Sequence, residues 1–533
     1  MINSEWNKSK IDETVTDIKQ CYNEVFTYTV NLINEYHLIT EEKDYYHLIL
    51  GDWLMFLIHQ SYIKWNEDQC SYSSNEKIIV KVSPGFEEYH IHRLTDDFNH
   101  NLNFLISLFN DKKNINEYID IQKIKHSENN FRKVPLTKLK KSFDNKFFNS
   151  KNKELIVFER MRRNSHFDFY KKAIKWNSWM GIKSPDQFNL SEKDIDKKWR
   201  IQNLSLNKEE SSFNFFIKTI IPLFIPQLIV ESFLENKNRI MLNNLNRPKF
   251  IYSATGLYSN EFKILAAEWK KRGTKFLYHQ HGGNYGLDYT HWFEEYEIGS
   301  ADIYYTWGWK SNEYNKDIKS LCVPSIKIKD RKKTRILLSV TDYPISGHRI
   351  HYQPMGSERV NIMHNETLDF IKNVGSNYPL DVRLPIKNYT NNISDKIKNS
   401  NHVRAIDSTI SNRYNMPYSY TLGISIAVHS YLCTSWLETI GLDIPTICFY
   451  DAKIYKFKES ANKIIDKLEQ VGILHKTGKS AALFLLSLGT NVDNWWNESD
   501  TVSARLLFKS SYANFSNKWH IEWEEEFLKV INK

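Results

Sequence analysis

Two short stretches of the chain carry the residue types that a group transfer needs. The first is His279-Gln280-His281-Gly282-Gly283-Asn284-Tyr285-Gly286, which directly follows a β-type run. Its three glycines permit positive φ and let backbone N–H groups approach a substrate closely. His281 is the candidate proton-transfer group near neutral pH, and Gln280, Gly282, Gly283, Asn284 and Tyr285 are candidate substrate contacts. A tight turn with surface histidines has the same composition. The place directly after a strand favours a ligand site, because open α/β sheets bind ligands at the carboxyl ends of their strands.

The second stretch runs from His429 through Ser430-Tyr431-Leu432-Cys433-Thr434-Ser435-Trp436-Leu437 to Glu438, with Gly441 and Pro445 beyond. Thr434 or Ser435 suits an N-cap, and the free N–H groups of such a helix start, with the two hydroxyls and His429 beside them, suit a phosphate. Glu438 can accept hydrogen bonds from ribose hydroxyls. A plain capping box has the same Ser435-to-Glu438 spacing.

Three further positions are candidates. Asp342, in Ser339-Val340-Thr341-Asp342-Tyr343-Pro344, is either a catalytic carboxylate or a turn former. Arg383 and Lys387, in DVRLPIK, can clamp donor phosphates, unless Arg383 points outward from an edge strand. Glu297, in the acidic run Glu294-Glu295-Tyr296-Glu297, is a candidate base near the glycine loop, although an exposed charge run reads the same way. No metal site is expected, since HExxH, an EF-hand loop and a strand-end D-x-D are all missing. The absence of G-x-x-x-x-G-K-[ST], G-x-G-x-x-G and G-x-S-x-G weakens the nucleotide-triphosphatase, dinucleotide-oxidoreductase and α/β-hydrolase readings.

The elements that would position these residues alternate between strand and helix. Lys249–Thr255, Lys275–His279 and Asp302–Trp307 read as strands, with a helical pattern over Asn260–Arg272 that ends at Gly273. Arg335–Val340, Leu380–Leu384, His402–Ile406, Ile424–His429 and Ile444–Tyr450 repeat the logic, with Glu358–Val374 as an amphipathic helix. Such βαβ spacing predicts two doubly wound domains facing each other across a cleft. Lys327–Lys333 reads as the linker between them, and Lys138–Lys153 as a surface loop. Tyr45–Trp65 is apolar enough to be a buried helix. The expected organisation is an acceptor-side domain over 1–330, helical to 245 and Rossmann-like over 246–330. A nucleotide-donor domain over 331–500 follows, and a C-terminal helix within 501–533 packs back on the first domain.

At 533 residues the chain is long enough for two or three domains. Lys and Arg number 72 against 63 Asp and Glu, a mild +9 with interleaved signs, so nucleic acid is not an expected partner. Five scattered cysteines without a CxxC suggest a reducing compartment, and the polar start lacks a signal-peptide core, so a cytoplasmic protein is expected. Phe215–Val230 is the most apolar segment, but Lys218, Pro222, Pro226 and Gln227 interrupt it short of the ~18 residues a spanning helix needs. It reads as buried core. The alternative is a peripheral contact with the inner membrane, which the basic surplus would assist.

The motifs LILGDWLMFLIHQ, HQHGGNYG with YEIGSADIYYTWGW, ILLSVTDYP, DVRLP and TSWLETIGLDIPTICF extend over most of the chain. Together they resemble a bacterial family of transferases for surface-carbohydrate biosynthesis. More remotely, the double-glycine loop and the T-S-x-x-E helix start look like those of capsule transferases that use CMP-activated octulosonate or sialic acid. That resemblance implies a GT-B fold and metal-independent transfer of a sugar from a nucleotide-sugar donor to a glycan or lipid-linked glycan, with no separate cofactor. It puts His281, Gly282 and Gly283 near the reacting carbon or on the acceptor side, and Thr434, Ser435 and Glu438 on the donor nucleotide. Where the remote relatives carry a His-Pro pair on the donor phosphate, this chain reads Arg383-Leu384-Pro385, leaving the electrostatic role to Arg383. A nucleotide-sugar epimerase of the same architecture and a non-catalytic scaffold of a glycan-assembly complex are the competing readings.

Overall fold

The computed structural model describes residues 8–66, 77–86, 96–124, 153–158, 176, 178–183, 191, 193–204, 210–325, 335–342, 357–385, 393–400, 402–406, 424–452 and 455–533. In the first lobe, β1 (Ile78–Val82) and β2 (Ile119–Lys123) make a small parallel pair. Then β3 (Leu155–Phe158), β4 (Met180–Lys183), β5 (Phe250–Ser253), β6 (Lys275–His279), β7 (Ile303–Thr306) and β8 (Asp317–Ser320) form a parallel sheet in the order β4-β3-β5-β6-β7-β8. Runs such as LIVF in β3 are buried at every residue, as a sheet covered on both faces requires.

One face is covered by the helices Asn260–Lys271 and Trp292–Ser300, which pack in turn on the helix Lys43–Trp65. That helix is buried continuously from Tyr45 to Ser61. Its Asp52 lies 2.5 Å from Lys263, with both side chains 1 % exposed. The other face is covered by the C-terminal helix Trp519–Ile531, whose Trp519, Trp523 and Phe527 pack with Trp176, Tyr252, Leu277 and Tyr305.

The second lobe follows the short β9 (Val323–Pro324). It holds β10 (Arg335–Ser339), β11 (Leu380–Arg383), β12 (Val403–Ile406), β13 (Ile424–His429), β14 (Thr446–Phe449) and β15 (Leu474–His475). These strands are parallel, in the order β12-β11-β10-β13-β14-β15. That is the doubly wound Rossmann order, and its switch point lies between β10 and β13. The chain then crosses back, and β16 (Phe515–Ser516) pairs with β9 before the last helix. The architecture is α/β, with two Rossmann-like lobes in a GT-B-like arrangement.

Several expectations need correcting. Among the described residues, the stretch before residue 246 holds four strands, and two of them, β3 and β4, belong to the first sheet, so the Rossmann-like core begins at Leu155. The expected linker Lys327–Lys333 lies outside the described residues, as does the expected loop from Lys138 to Asn152. Phe213–Phe224 is a helix capped by Ser212 and buried from Phe216 onward except at Lys218. The Arg200 guanidinium supports its end, donating to the Pro222 and Ile225 carbonyls and forming a buried pair with Glu231. Among the described residues, no helix is long and apolar enough to cross a membrane.

The lobes are fastened to each other beside the cleft. Lys456 and Lys458 exchange backbone hydrogen bonds with Tyr289 and Leu287, and Tyr455 donates to the Asp288 carboxylate. Lys458 reaches Glu294 at 2.6 Å, where that carboxylate is 1 % exposed and also accepts from the Gly286 N–H and the Tyr314 hydroxyl. Burial lowers the Lys458 pKa, but Glu294 more than compensates and holds it above the ordinary lysine value. Lys458→Met removes the counter-ion of a buried carboxylate and is expected to cost about 3–5 kcal/mol in chemical denaturation. An added Glu294→Gln should recover part of that loss, and an unchanged denaturation midpoint in the single variant would contradict the assignment.

Candidate active site between the lobes

The loop after β6 and the loop after β13 meet. The Gly283 N–H donates to the Thr434 hydroxyl at 2.9 Å, and the Asn284 side-chain amide donates to the Leu432 carbonyl at 2.7 Å. A Cβ at Gly283 would lie 2.6 Å from the Thr434 nitrogen and 2.8 Å from the Cys433 carbonyl carbon. Glycine is therefore required there for close approach of two backbones. Positive φ falls instead on Asn284 (φ 74°) and Gly286 (φ 72°). The carboxyl ends of both sheets thus converge on one place.

On the first-lobe side, His281 is the exposed member of a buried polar cluster. Its Nδ1 lies 3.1 Å from the Glu297 carboxylate and 3.1 Å from the Tyr285 hydroxyl, and its Nε2 lies 2.7 Å from the Tyr258 hydroxyl. Glu297 is fully buried and accepts from Tyr285 (2.9 Å) and Tyr304 (2.8 Å). Burial raises its pKa, while His281 and the hydroxyl donors pull the other way. A carboxylate behind an imidazole fixes the ring and stabilises its protonated form.

Other residues of this loop build the site from behind. Gln280 spends its amide on the Gly282 carbonyl and on Trp307 and Trp309, which locks the turn. Asn284 and Tyr285 are buried; the Asn284 amide N–H groups and the Tyr285 hydroxyl go to protein partners, while the Asn284 Oδ1 is buried without a hydrogen bond among the described residues. These three side chains, expected as substrate contacts, support the loop. His279 points into the core toward Tyr252 and the Leu321 carbonyl, and burial pushes its pKa down to about 3.

On the second-lobe side, the helix Thr434–Gly441 has Cys433, not Thr434 or Ser435, at its N-cap, and its first turn holds no acid. The Ser435–Glu438 capping box does not form, because the helix is capped two residues earlier, which frees both hydroxyls for other partners. Thr434 receives Gly283, while Ser435 lies 3.2 Å from His429 Nδ1 and 3.5 Å from the Tyr431 hydroxyl. His429 is buried, with its Nε2 3.0 Å from the Thr439 hydroxyl. Burial first, then the positive Arg383, pushes its pKa down to about 3, so it is neutral and braces Ser435 from behind. Burial and Cys433 push the Tyr431 phenol up to about 12, while Arg383 and Ser435 act to lower it. Arg383, Tyr431, Ser435 and Glu438 therefore form one electrostatic neighbourhood beside the helix start, and Arg383, Ser435 and Glu438 are each half-buried.

Asp342, read as either a catalytic carboxylate or a turn former, has its side chain buried and turned to His364 of the helix Ser357–Val374 at 3.3 Å. Lys387 lies outside the described residues. Sequence reasoning passed over Tyr258, Tyr304 and Tyr431. The last two stand inside quoted motifs, but a tyrosine in an apolar run gives no sign of where its hydroxyl will point.

The Gly283–Thr434 contact thus joins the loop that carries His281, backed by Glu297, to the helix start that carries Ser435, near Arg383. Residues 1–527 match the model of the LIC12162 family transferases, and the chain belongs to that family. No curated protein matches it in sequence. Among solved structures, it is similar to a protein described as a UDP-N-acetylglucosamine 2-epimerase from Listeria monocytogenes, at 10% identity over 71% of this chain and 96% of that one, with a TM-score of 0.41. It is also similar to an α,α-trehalose-phosphate synthase (UDP-forming) from Burkholderia xenovorans, at 8% identity over 71% of this chain and 100% of that one, with a TM-score of 0.37. The wall teichoic acid polymerase TagF matches at 13% identity over 71% and 89%, with a TM-score of 0.31.

The two glycines separate close approach from mere flexibility. Gly283→Ala drives a methyl into the backbone of the opposite lobe and is expected to cost about 1–3 kcal/mol in thermal unfolding. Gly282→Ala meets side-chain atoms alone, the Thr434 hydroxyl at 3.3 Å and the Tyr285 ring at 4.0 Å, and should cost clearly less. Equal losses in the two variants would mean that the loops do not touch as described.

Proposed function

We propose that this transferase is a glycosyltransferase, with a nucleotide-sugar donor on the second lobe and a hydroxyl of a glycan or lipid-linked glycan presented from the first. The observation that supports this most is the Gly283–Thr434 contact, which sets the His281–Glu297 pair against the Arg383 and Ser435 neighbourhood. In the reaction, the bond from the anomeric carbon to the donor phosphate breaks and a bond to the acceptor oxygen forms. His281 takes the acceptor proton, and Glu297 holds the ring and offsets the charge it gains. The Tyr258 hydroxyl, 2.7 Å from Nε2, occupies the place an acceptor hydroxyl would take. The departing phosphate is stabilised by Arg383 and the amide groups of the Thr434 helix, with Glu438 toward the ribose. This charge set performs the neutralisation without a divalent ion. The first donors to test are CMP-activated octulosonates and nonulosonates.

Calorimetry with CMP, UDP, GDP and CDP and their sugar conjugates is expected to give saturable binding to one of them, weakened by Arg383→Ala. Silence across the whole panel would end the reading. Turnover should persist in EDTA, and sugar should appear on acceptor rather than as an isomerised donor.

Glu297 is expected to act through His281. Glu297→Gln should lower kcat by roughly 10²-fold or more with little change in KM. The raised pKa means that ionised Glu297 costs the fold stability, a cost that grows as pH rises through that pKa. The Gln variant should therefore keep its melting temperature at neutral pH while losing rate. The acid limb of the wild-type rate profile should lie above the ordinary glutamate value of about 4.3. A variant that loses stability and rate together would reduce Glu297 to a structural role.

A further inference from the structure

The first lobe carries an apolar patch at the end of its sheet opposite the cleft. Helix Phe233–Leu242 and the turn after it expose Leu242 (71 %) and Leu245 (77 %), and Leu234 is exposed two turns back on the same helix face. Met241, Leu242 and Leu245 line a cavity of about 400 Å³ with Asn238 and Arg272. Exposed leucines scattered singly need no explanation, but Leu242 and Leu245 line one cavity.

The surroundings of the patch are basic. Arg239, Arg247, Lys249, Arg272 and Lys275 are all exposed, and Arg247 donates to the Arg272 carbonyl, which places these two cations together at the cavity rim. Acids partner some of these cations: Arg272 lies 3.5 Å from Glu268, which is 4 % exposed, and Lys249 lies 3.0 Å from Glu154. Glu235 faces Lys193, so the five exposed cations outnumber the acids paired with them. Lys275 opens β6 and Lys249 precedes β5, so the patch lies at the amino ends of the strands, whereas His281 follows the carboxyl end of β6.

We propose that this patch docks the protein on an anionic lipid bilayer, with Leu242 and Leu245 entering the acyl boundary and the arginines and lysines on lipid phosphates. An apolar centre with a cationic rim is complementary to acyl chains beneath a layer of negative headgroups. The cavity fits an acyl segment against Met241, Leu242 and Leu245, with a phosphate on Arg272. This face replaces Phe215–Val230, which is largely buried, as the membrane-facing element. It also sets the cleft away from the membrane by at least the length of β6, roughly 16 Å at ~3.3 Å per residue. The acceptor must then present a hydroxyl well clear of the headgroups.

The test is flotation of the intact protein with vesicles of phosphatidylcholine alone or mixed with phosphatidylglycerol, a readout that does not depend on what the cleft transfers. The wild type should float with the anionic vesicles only, and high salt should release it. Leu242→Glu/Leu245→Glu and Arg247→Glu/Arg272→Glu should each weaken binding by on the order of tenfold or more. Leu483→Glu, at an exposed leucine of the other lobe, should bind as the wild type does. Circular dichroism melts confirm that the variants are folded. Failure of the wild type to float, or wild-type flotation by the Leu242/Leu245 variant, overturns the proposal. So does self-association through these leucines without vesicle binding, which would make the patch a protein interface.

Discussion

The arrangement of the site depends on two backbones that touch where the residue of the first lobe cannot carry a side chain. Gly283 and Thr434 approach so closely that a single added methyl carbon would overlap main-chain atoms of the opposite lobe. Main-chain atoms cannot rotate away as a side-chain tip can, so this contact fixes the distance between the two sheet edges. The pairing of residues 287–289 with 455–458, and the buried Glu294–Lys458 pair beneath it, hold the loops at that distance. The polar strap and the glycine contact act together: one supplies attraction between the lobes, the other lets them close.

Burial then sorts the titratable groups. Three histidines near the cleft, His279, His291 and His429, are enclosed and pushed down to about 3, which keeps them neutral and makes them struts. His281 alone among these four keeps partial exposure, and it is the one backed by a carboxylate. Glu297 could have been an ordinary surface acid in an acidic run. Placed under the loop and ringed by the hydroxyls of Tyr285 and Tyr304, it becomes a carboxyl in a low-dielectric site, where burial raises its pKa while His281 and the two hydroxyls act to lower it.

Much of the fold was legible because period and composition are local properties. The strands after residue 248, the helix Asn260–Lys271 and the buried helix Lys43–Trp65 all show themselves through apolar spacing or a continuous apolar run. Strands β3 and β4 did not, since they lack the strand–helix–strand alternation that marks the equally short β5 and β7, and they form because neighbouring strands supply their hydrogen bonds. The same limit applied at Thr434: the sequence offers a good capping residue, but the helix begins one residue earlier, and the Thr434 hydroxyl goes to the facing lobe.

What the chain determined by itself was which segments could be strands or helices and which loops held chemically capable residues, because backbone preference and side-chain type are written residue by residue. Which of those residues face the cleft was decided only by tertiary structure. Gln280, Asn284, Tyr285, His429 and Asp342 have suitable chemistry, yet packing turns them toward protein partners. Tyr258 and Tyr304, ordinary in their own segments, are brought onto His281 and Glu297 from the turn after β5 and from the neighbouring strand β7. A hydroxyl's direction is set by the neighbours that surround it, and those arrive only when the sheets are assembled.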